Sequence, residues 1–275
     1  MAKSNPKKQW FGGSEAPVER NHFSFSIVTD HVAPRSFIST PIGRRRIPCS
    51  EVNDNPTIRK ALLMYDLPYH KEHDPLVIKE FVDQHPFAFL VGCDSDNKPV
   101  ATQVPVFIEE ADGVKVLRGH IMKNTDHHKA FVRNENVLAV FTGHHTYVSA
   151  TWYSDPHLAS TWNYMSVHVK GIIRFLDDAA LEEVLRKTTL HFENYDHHSP
   201  TVFDNLSVEF KQRVMKAIVA FEIEIKEMDT VFKLSQDRDA QSYHNIIEKL
   251  QSQDENGQVI AAEMAKRTRG LFPEK

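Results

Sequence analysis

Short segments that alternate apolar and polar residues, joined by tight-turn signals, most strongly limit the fold of this chain. Asp112-Gly113 predicts a two-residue hairpin turn that leads from one such segment into a second strand over Val114–His120. The first segment covers 100–108, and one face of it carries Val100, Thr102, Val104, Val106 and Ile108. A meander of this kind predicts antiparallel β-structure.

Further strands are predicted on both sides of this hairpin. Residues 165–176 alternate over their whole length, and one face carries Val167, Val169, Gly171, Ile173 and Phe175. The other predicted strands are Phe87–Cys93 (followed by a turn at 94–98), Val137–Thr142, Tyr147–Tyr153, Phe221–Lys226 and a separate short segment, Val231–Leu234. Strands at this spacing favour a closed or nearly closed barrel. No G-x-G-x-x-G or Walker A motif is present, which disfavours the two nucleotide-binding folds that use them.

Helices are predicted between and after these strands. Asp74-Pro75 forms an N-cap and first-turn pair that opens a helix to about His85, with Leu76, Ile78, Phe81 and Val82 as its apolar contacts. The remaining helices are predicted from Thr125 to about Arg133, from Asp177-Asp178 to about Tyr195, and over Ser207–Ile218, Arg238–Gln251 and Gly257–Arg267. The fold class that follows is α+β, mainly antiparallel β, with inserted and C-terminal helices.

Residues 1–63 differ from the rest of the chain in charge and pattern. They hold ten basic and five acidic residues, a net charge of +5, whereas 64–275 hold 23 basic and 32 acidic residues, a net charge of −9. Their apolar residues have no period of 2 or 3.6, so we expect a disordered leader or a start misplaced upstream of Met64. Arg44-Arg45-Arg46 leaves a nucleic-acid arm as the alternative. The domain organisation predicted is a leader over 1–63, a barrel domain over 64–252 and a helical tail over 253–275.

The number of cysteines and the hydropathy of the chain indicate which cellular compartment is expected. Cys49 lies in the leader and Cys93 in an apolar run, so no disulfide framework is expected and a reducing compartment fits better. No apolar run approaches the length of a membrane span, and no apolar region follows Lys3, Lys7 and Lys8 as a signal peptide requires. We therefore expect a cytoplasmic protein without a membrane partner.

Three clusters of residues carry the chemistry that the sequence offers. The first, 117–124, ends a strand with Arg118, His120, Lys123 and Asn124, and its Gly119 allows a ligand to approach the backbone. The second joins 147–153 to 161–164, two tryptophan-bearing blocks with hydroxyls and an amide that suit a flat heteroaromatic ring. The third, 233–238, is polar and extended and could reach an anionic ligand. A strand-end salt bridge, an aromatic core and a helix cap are the structural alternatives for the three clusters.

Sixteen histidines raise the question of a metal, but their arrangement argues against one. The doublets, such as His144-His145, place neighbouring side chains on opposite faces, and no H-E-x-x-H or C-x-x-C motif is present. No metal site is predicted. A hydrolase triad built on Ser149 and His168 is disfavoured because Ser149 is not in a G-x-S-x-G motif.

Taken together and in order, these blocks resemble the PaiB family of FMN-binding negative transcriptional regulators. The resemblance covers about 64–250 and begins at Met64-Tyr65. It is carried by His85-Pro86-Phe87-Ala88, Arg118-Gly119-His120 with Asn124, Tyr147-Val148-Ser149 through Trp152-Tyr153, Thr161-Trp162-Asn163-Tyr164 with His168, and Lys233-Leu234-Ser235-Gln236 with Arg238. Ala150 departs from the proline common in the family, and Asp237 departs from its asparagine.

The resemblance implies a split β-barrel of the pyridoxamine-phosphate-oxidase-like type, a homodimer with FMN at the subunit interface. It implies phosphate and ribityl contacts at Arg118, His120, Lys123 and Asn124. It implies ring contacts at Ser149, Thr151, Trp152, Thr161, Trp162 and Asn163, and contacts from the partner subunit at Lys233, Gln236 and Arg238.

Two functions follow from the resemblance, and the sequence leaves both open. The first is negative transcriptional regulation, through DNA or a regulatory protein partner, although the acidic body is a poor match to DNA phosphates and no helix-turn-helix is evident. The second is an FMN-dependent oxidoreductase, for which Tyr164 or His168 could handle a proton; no catalytic residue is assigned. A barrel with an unused flavin site is the third reading.

Overall fold

The computed structural model describes residues 67–111 and 113–273 of the chain. The predictions for the leader 1–63, including Cys49 and Arg44-Arg45-Arg46, and for Met64-Tyr65 lie outside these residues. Over the described ranges, no helix has the length and apolar character needed to cross a bilayer.

Six antiparallel strands close into a barrel in the order β1-β2-β3-β6-β5-β4, with β4 paired back to β1. The strands are β1 (Phe87–Cys93), β2 (Pro99–Ala111), β3 (Val114–Met122), β4 (Asn136–Val148), β5 (Thr161–Phe175) and β6 (Ile218–Lys233). The predicted hairpin is confirmed: Ala111 faces Val114, and Gly113 has a positive φ of 78°. The predicted fold class, an α+β split barrel dominated by antiparallel strands, is therefore correct.

One α-helix lies before the first strand, and the others lie between later strands or after the last one; a side-chain oxygen caps the start of each. They are α1 (Pro75–Gln84), α2 (Asp126–Arg133), α3 (Asp178–Phe192), α4 (Val208–Met215), α5 (Ala240–Gln251) and α6 (Glu255–Leu271). The N-cap side chains accept backbone N–H groups and belong to Asp74, Thr125, Asp177, Ser207, Asp239 and Asp254. All six predicted helices are thus present, with boundaries that shift by a few residues.

One apolar core fills the barrel and extends to the C-terminal helices. Inward-facing residues of all six strands meet Ile246 and Leu250 of α5 and Ile260 and Met264 of α6 in a single buried cluster. A second, smaller cluster lies outside the barrel, where α3 packs against Ala220 of β6. The predicted boundary at residue 252 remains a prediction.

Three local predictions were wrong, each for a physical reason. Tyr147–Tyr153 is not one strand, because β4 ends at Val148 and Ser149 then caps a 3-10 turn over Ala150–Trp152. Val231–Leu234 is not a separate segment, because β6 runs without interruption from Ile218 to Lys233. Leu76 is not a core contact: it lies on the solvent side of α1 and is 77% exposed.

Two irregularities bend the long strands. The β4–β5 register shifts between Thr142 and His145, and the β5–β6 register shifts between Lys170 and Gly171. A Cβ added at Gly171 would collide with the backbone oxygen of Glu224 and would lie 2.5 Å from Ile223 Cγ2. Gly171 therefore allows the close contact between β5 and β6 at this bend.

We predict that Gly171→Ala lowers the free energy of unfolding by about 1–3 kcal/mol, because backbone atoms of β6 must move to make room. Gly270→Ala in α6 is the matched control: nothing lies within 4 Å of its added Cβ, and a helical alanine stabilises by up to about 1 kcal/mol. Urea denaturation of both variants measures the difference. Equal midpoints for the two variants would contradict the role given to Gly171.

Candidate functional site

Arg118 of the first cluster is already paired with two carboxylates. Its Nε and Nη2 donate to Glu222 Oε2 at 2.9 and 2.6 Å, and Nη1 lies 3.4 Å from Glu109 Oε2. Burial on its own would lower the pKa of Arg118, but the hydrogen bond and charge of Glu222, together with Glu109, raise it overall. A phosphate at Arg118 would have to compete with these partners.

The other members of the first cluster are less engaged. His120 Nδ1 is buried without a hydrogen-bond partner among the described residues, and burial lowers the pKa of its imidazole. Lys123 donates its backbone N–H to Ala217 O at 2.8 Å, and its side chain forms no ion pair within the described residues. Asn124 turns the chain with a φ of 66°. Lys123 is therefore the cation of this cluster that is open to an anion.

The 3-10 turn Ala150–Trp152 fixes the start of the second cluster. Ser149 Oγ accepts the N–H of Thr151 at 3.3 Å and lies 2.9 Å from Thr151 Oγ1. The Ala150 N–H donates to Ser160 Oγ at 3.0 Å, and Trp152 packs against the core while its carbonyl accepts from Asn245. The two blocks of this cluster are joined by the β4–β5 pairing, in which Tyr147 faces Trp162 and Val148 faces Thr161.

Residues 161–163 open β5 and alternate between the two faces of the barrel wall. Trp162 points outward, is 52% exposed, and has its ring 5.5 Å from that of His145 and 6.2 Å from that of Tyr147. Asn163 points inward and is fully buried, where its Oδ1 accepts from Ser235 Oγ at 3.0 Å. Of these neighbours, Trp162 is the one that faces a ligand from outside the barrel.

The third cluster joins the second at this end of the barrel. Lys233 Nζ donates to Thr161 Oγ1 at 2.6 Å. The Gln236 amide bonds within its own segment, accepting from the Leu234 N–H at 2.7 Å and donating to Phe232 O, and its Oε1 lies 2.9 Å from His70 Nδ1. The polar atoms of the Gln236 side chain are therefore already hydrogen-bonded within the protein.

Arg238 and Tyr153 form a buried pair with unused polar atoms. The guanidinium carbon of Arg238 lies 4.8 Å from the centre of the Tyr153 ring, a cation–π contact, and Nη2 lies 3.2 Å from Asp237. Neither Arg238 Nε nor Tyr153 Oη finds a hydrogen-bond partner among the residues described. Burial raises the pKa of Tyr153, against the opposing charge of Arg238, so the phenol stays protonated at neutral pH. Two unsatisfied donors side by side mark a position where a polar ligand atom fits.

A groove of about 480 Å³ runs along the outer face of β4 and β5 beside Trp162. Val140, Thr142, His145, Tyr164 and His168 complete its walls. Burial lowers the pKa of His168 although the nearby Asp229 opposes this, so its imidazole is neutral at pH 7. Sequence reasoning missed Val140, Thr142 and His145 as parts of the site. The alternation of β4 was the available signal, but the bulge at Thr142/His145 interrupts it.

The first cluster does not join the other two within one chain. Arg118 faces Glu222 and Tyr164 faces Lys233 on the same strand, β6. The eleven residue steps from 222 to 233 span about 36 Å along the strand at roughly 3.3 Å per residue. One chain therefore carries two separate half-sites at opposite ends of β6.

No group of three or more histidine, cysteine, aspartate or glutamate side chains in the described ranges could hold a metal ion. The candidate residues carry aromatic, hydroxyl and cationic groups, which suit an organic ligand that carries an anion.

Comparisons with known proteins agree with this chemistry. Residues 64–227 match the model of a family described as "Putative FMN-binding domain". "Protease synthase and sporulation protein PAI 2" of Bacillus subtilis is 33% identical over 193 residues, 70% of this chain and 91% of the relative. An uncharacterized protein of Emericella nidulans is 24% identical over 213 residues, 63% of this chain and 85% of its own length.

Solved structures resemble the chain more distantly. The structure of the FAD and heme binding protein from Mycobacterium smegmatis matches 60% of this chain and 73% of its own, with 18% identity and a TM-score of 0.46.

Proposed function

Because the chain belongs to the PaiB family of FMN-binding proteins, whose cofactor is FMN, we propose that the groove beside Trp162 holds the flavin ring. The observation that carries this proposal is the exposed Trp162 indole, which forms one wall of a cavity large enough for a flat ring system. Tyr164 and Thr142 add hydrogen-bonding groups to the same walls.

The residues next to the groove fit the polar part of FMN. Lys233, which faces the groove residue Tyr164 across the β5–β6 pairing, forms a cation and hydroxyl pair with Thr161, and Tyr153 Oη and Arg238 Nε are unsatisfied donors among the described residues. These are the donors that a ribityl hydroxyl or a flavin carbonyl accepts from. Ser149 and Thr151 would order this edge through their mutual hydrogen bond.

We propose that the phosphate is held by the first cluster of a second copy of the chain. Lys123 is the main cation in this proposal because Arg118 is neutralised by Glu222 and Glu109. The separation of the half-sites along β6 supports a two-fold assembly, in which each end of one barrel meets the opposite end of its partner.

The outer face of β1, β4 and β5 supports the same homodimer. Phe87 and Phe89 are 56% and 42% exposed, and Tyr147 is 49% exposed beside Trp162. The strand pairing sets Phe89 opposite Val140, a wall of the groove, so this apolar surface is continuous with the flavin site. Contiguous exposed aromatic residues of this size are typical of interaction surfaces.

We propose negative transcriptional regulation, in the cytoplasm, as the role of this flavoprotein. Although the body is acidic overall, Lys123 at the end of β3 donates its backbone N–H to Ala217 and so lies near Lys216, which gives a small local basic surface, and the adjoining α4 also carries Lys211 and Arg213. Such a surface is the electrostatic requirement for contact with nucleic-acid phosphates.

Cys93 forms no disulfide among the described residues, which suits a reducing compartment.

An FMN-dependent oxidoreductase is the second candidate. The flavin supplies the redox chemistry by accepting or donating a hydride or single electrons. The observation in favour is the openness of the groove to solvent beside Tyr164 and His168, whose neutral imidazole is able to accept a proton. Stopped-flow reduction by NADH or NADPH tests it, and a flavin that neither nicotinamide reduces counts against it.

For the flavin site, we predict that Trp162→Ala weakens FMN binding by about 10- to 100-fold, the equivalent of roughly 1.4–2.8 kcal/mol of lost contact. Tyr195→Ala, at another exposed aromatic residue, should leave the affinity unchanged. Titration of flavin fluorescence measures both constants. Equal FMN affinity in the wild type and Trp162→Ala would exclude this groove as the flavin site.

For the homodimer, we predict that Phe89→Asp shifts the protein to a monomer, because the dimer would bury an unpaired carboxylate. Leu76→Asp is the control, since Leu76 is exposed on α1 away from this face. Light scattering coupled to gel filtration measures the mass. A wild-type monomer, with or without FMN, would refute the proposed assembly.

For the regulator role, we predict that the wild type binds duplex DNA and that the triple variant Lys211→Ala, Arg213→Ala, Lys216→Ala binds more weakly. The slope of log affinity against log salt should fall by about 2–3, since each phosphate contact contributes roughly 0.9. The control replaces Lys79, Lys98 and Lys249, three exposed lysines on other surfaces, with alanine. No binding by the wild type at low salt would contradict direct DNA contact.

A further inference from the structure

A second cavity, of about 520 Å³, lies between α1, α6 and the β4 bulge, next to the Trp162 groove, with which it shares Met165 as a lining residue. Its size falls within the range of small-molecule sites, roughly 300–1,000 Å³. Neither the flavin nor the proposed dimer requires it. Its walls divide into an apolar floor, a histidine end and a charged end.

The floor is aromatic and already well ordered. Phe81 of α1 and Phe232 of β6 have ring centres 5.2 Å apart with a tilt of 50°, and Met165 of β5 lies beside them. Val77 and Val259 form the rim on α1 and α6. A flat apolar ligand would gain dispersion contacts with this floor and with the half-buried rim residues Val77 and Val259.

The histidine end offers a hydrogen-bonding group that the protein does not use. The rings of His85 and His144 lie 5.6 Å apart, and His144 Nδ1 is bonded to Asn256 Oδ1 at 2.9 Å. The His85 imidazole packs against the Phe81 ring but forms no hydrogen bond with any described residue. Burial lowers the pKa of His85, and the neighbouring His144 lowers it further. At neutral pH His85 therefore presents one neutral donor and one acceptor.

The charged end is internally balanced. Arg267 Nη1 donates to Glu263 Oε2 at 2.7 Å, its Nη2 lies 3.3 Å from Glu72 Oε2, and Lys266 Nζ donates to Glu263 at 2.5 Å. Burial would raise the pKa of Glu263, but the hydrogen bonds from Lys266 and Arg267 lower it overall. With Glu80 included, three carboxylates face two cations, a net charge of −1. An anionic ligand would have to displace an existing partner, whereas an uncharged one would not.

We propose that this cavity is a second small-molecule site, selective for an uncharged aromatic compound with one hydrogen-bonding group directed at His85. The apolar floor supplies the binding surface, and the paired charges exclude anions such as FMN from it. The site is therefore chemically the opposite of the flavin site, which selects a phosphorylated ligand.

The β4 bulge separates the two sites. The register shift between Thr142 and His145 turns His144 into the cavity while His145 packs on Trp162 in the groove. A Cβ added at Gly143, in the bulge, would lie 3.3 Å from His85 Nε2, so the wall between the sites is one backbone thick. The cavity and the groove are therefore adjacent. We nevertheless expect a ligand in the cavity to occupy a separate volume from a ligand in the groove.

Calorimetric titration of the full chain with a matched series tests the proposal: 2-naphthol, uncharged, against 2-naphthoate, an anion with the same ring. We expect 2-naphthol to bind at least about tenfold more tightly. Excess FMN should change the affinity for 2-naphthol by less than about twofold. FMN binding is measured in its own titration, so the flavin proposal can fail without affecting this result.

Variants locate the bound probe. Val259→Trp fills the rim and should weaken 2-naphthol binding by at least about tenfold, whereas Val132→Trp, on the exposed side of α2, should not. His85→Phe keeps the ring contact with Phe81 and should reduce the preference for the hydroxyl compound. Thermal melts of each variant verify folding.

Three results would overturn the proposal. The first is no binding of 2-naphthol to the wild type. The second is equal affinity in Val259→Trp and Val132→Trp. The third is displacement of the probe by FMN, which would make the cavity part of the flavin site.

Discussion

Strand β6 is the constraint on which the rest of the structure depends. It pairs with β3 over 218–224 and with β5 over 221–233, so it closes the barrel and also fixes where each functional cluster lies. The close contact at Gly171 lets β5 follow it around the bend. The consequence is that a cation-bearing end and a tryptophan-bearing end are held apart by a rigid wall. A site that needs both must be completed by a second copy of the chain.

Local sequence signals were sufficient to predict most of the fold. Periodicity in β2 and β5, the Asp74 cap and the glycine at position 113 act over a few residues, and the structure preserves each of them. The failures occurred where a side chain or a long-range pairing outweighed the pattern. Ser149 ended β4 by capping a turn, and pairing with β5 kept β6 extended between the two segments that were predicted separately. Neither effect can be read from hydrophobic spacing alone.

The candidate site was less accessible to sequence reasoning because adjacent residues there serve different surfaces. Trp162 faces the outer groove while Asn163 bonds inside the barrel, and the bulge sends His144 and His145 into two different cavities. A sequence motif groups such neighbouring residues, but it does not show which of them faces the groove and which faces the barrel interior or the other cavity. The partner of Arg118 was equally hidden: a strand-end salt bridge was one expectation for it, but Glu222 is 104 residues away in the chain.

The account rests on the claim that each flavin site is shared between two chains, and mixing two inactive variants tests it most directly. Trp162→Ala removes the ring half-site and Lys123→Ala the phosphate half-site, so each homodimer should bind FMN poorly. Random pairing of equal amounts should return about a quarter of the wild-type binding capacity, because half of the dimers then hold one intact site. No recovery in a mixture shown by mass to contain heterodimers would place both half-sites in one chain and contradict the account.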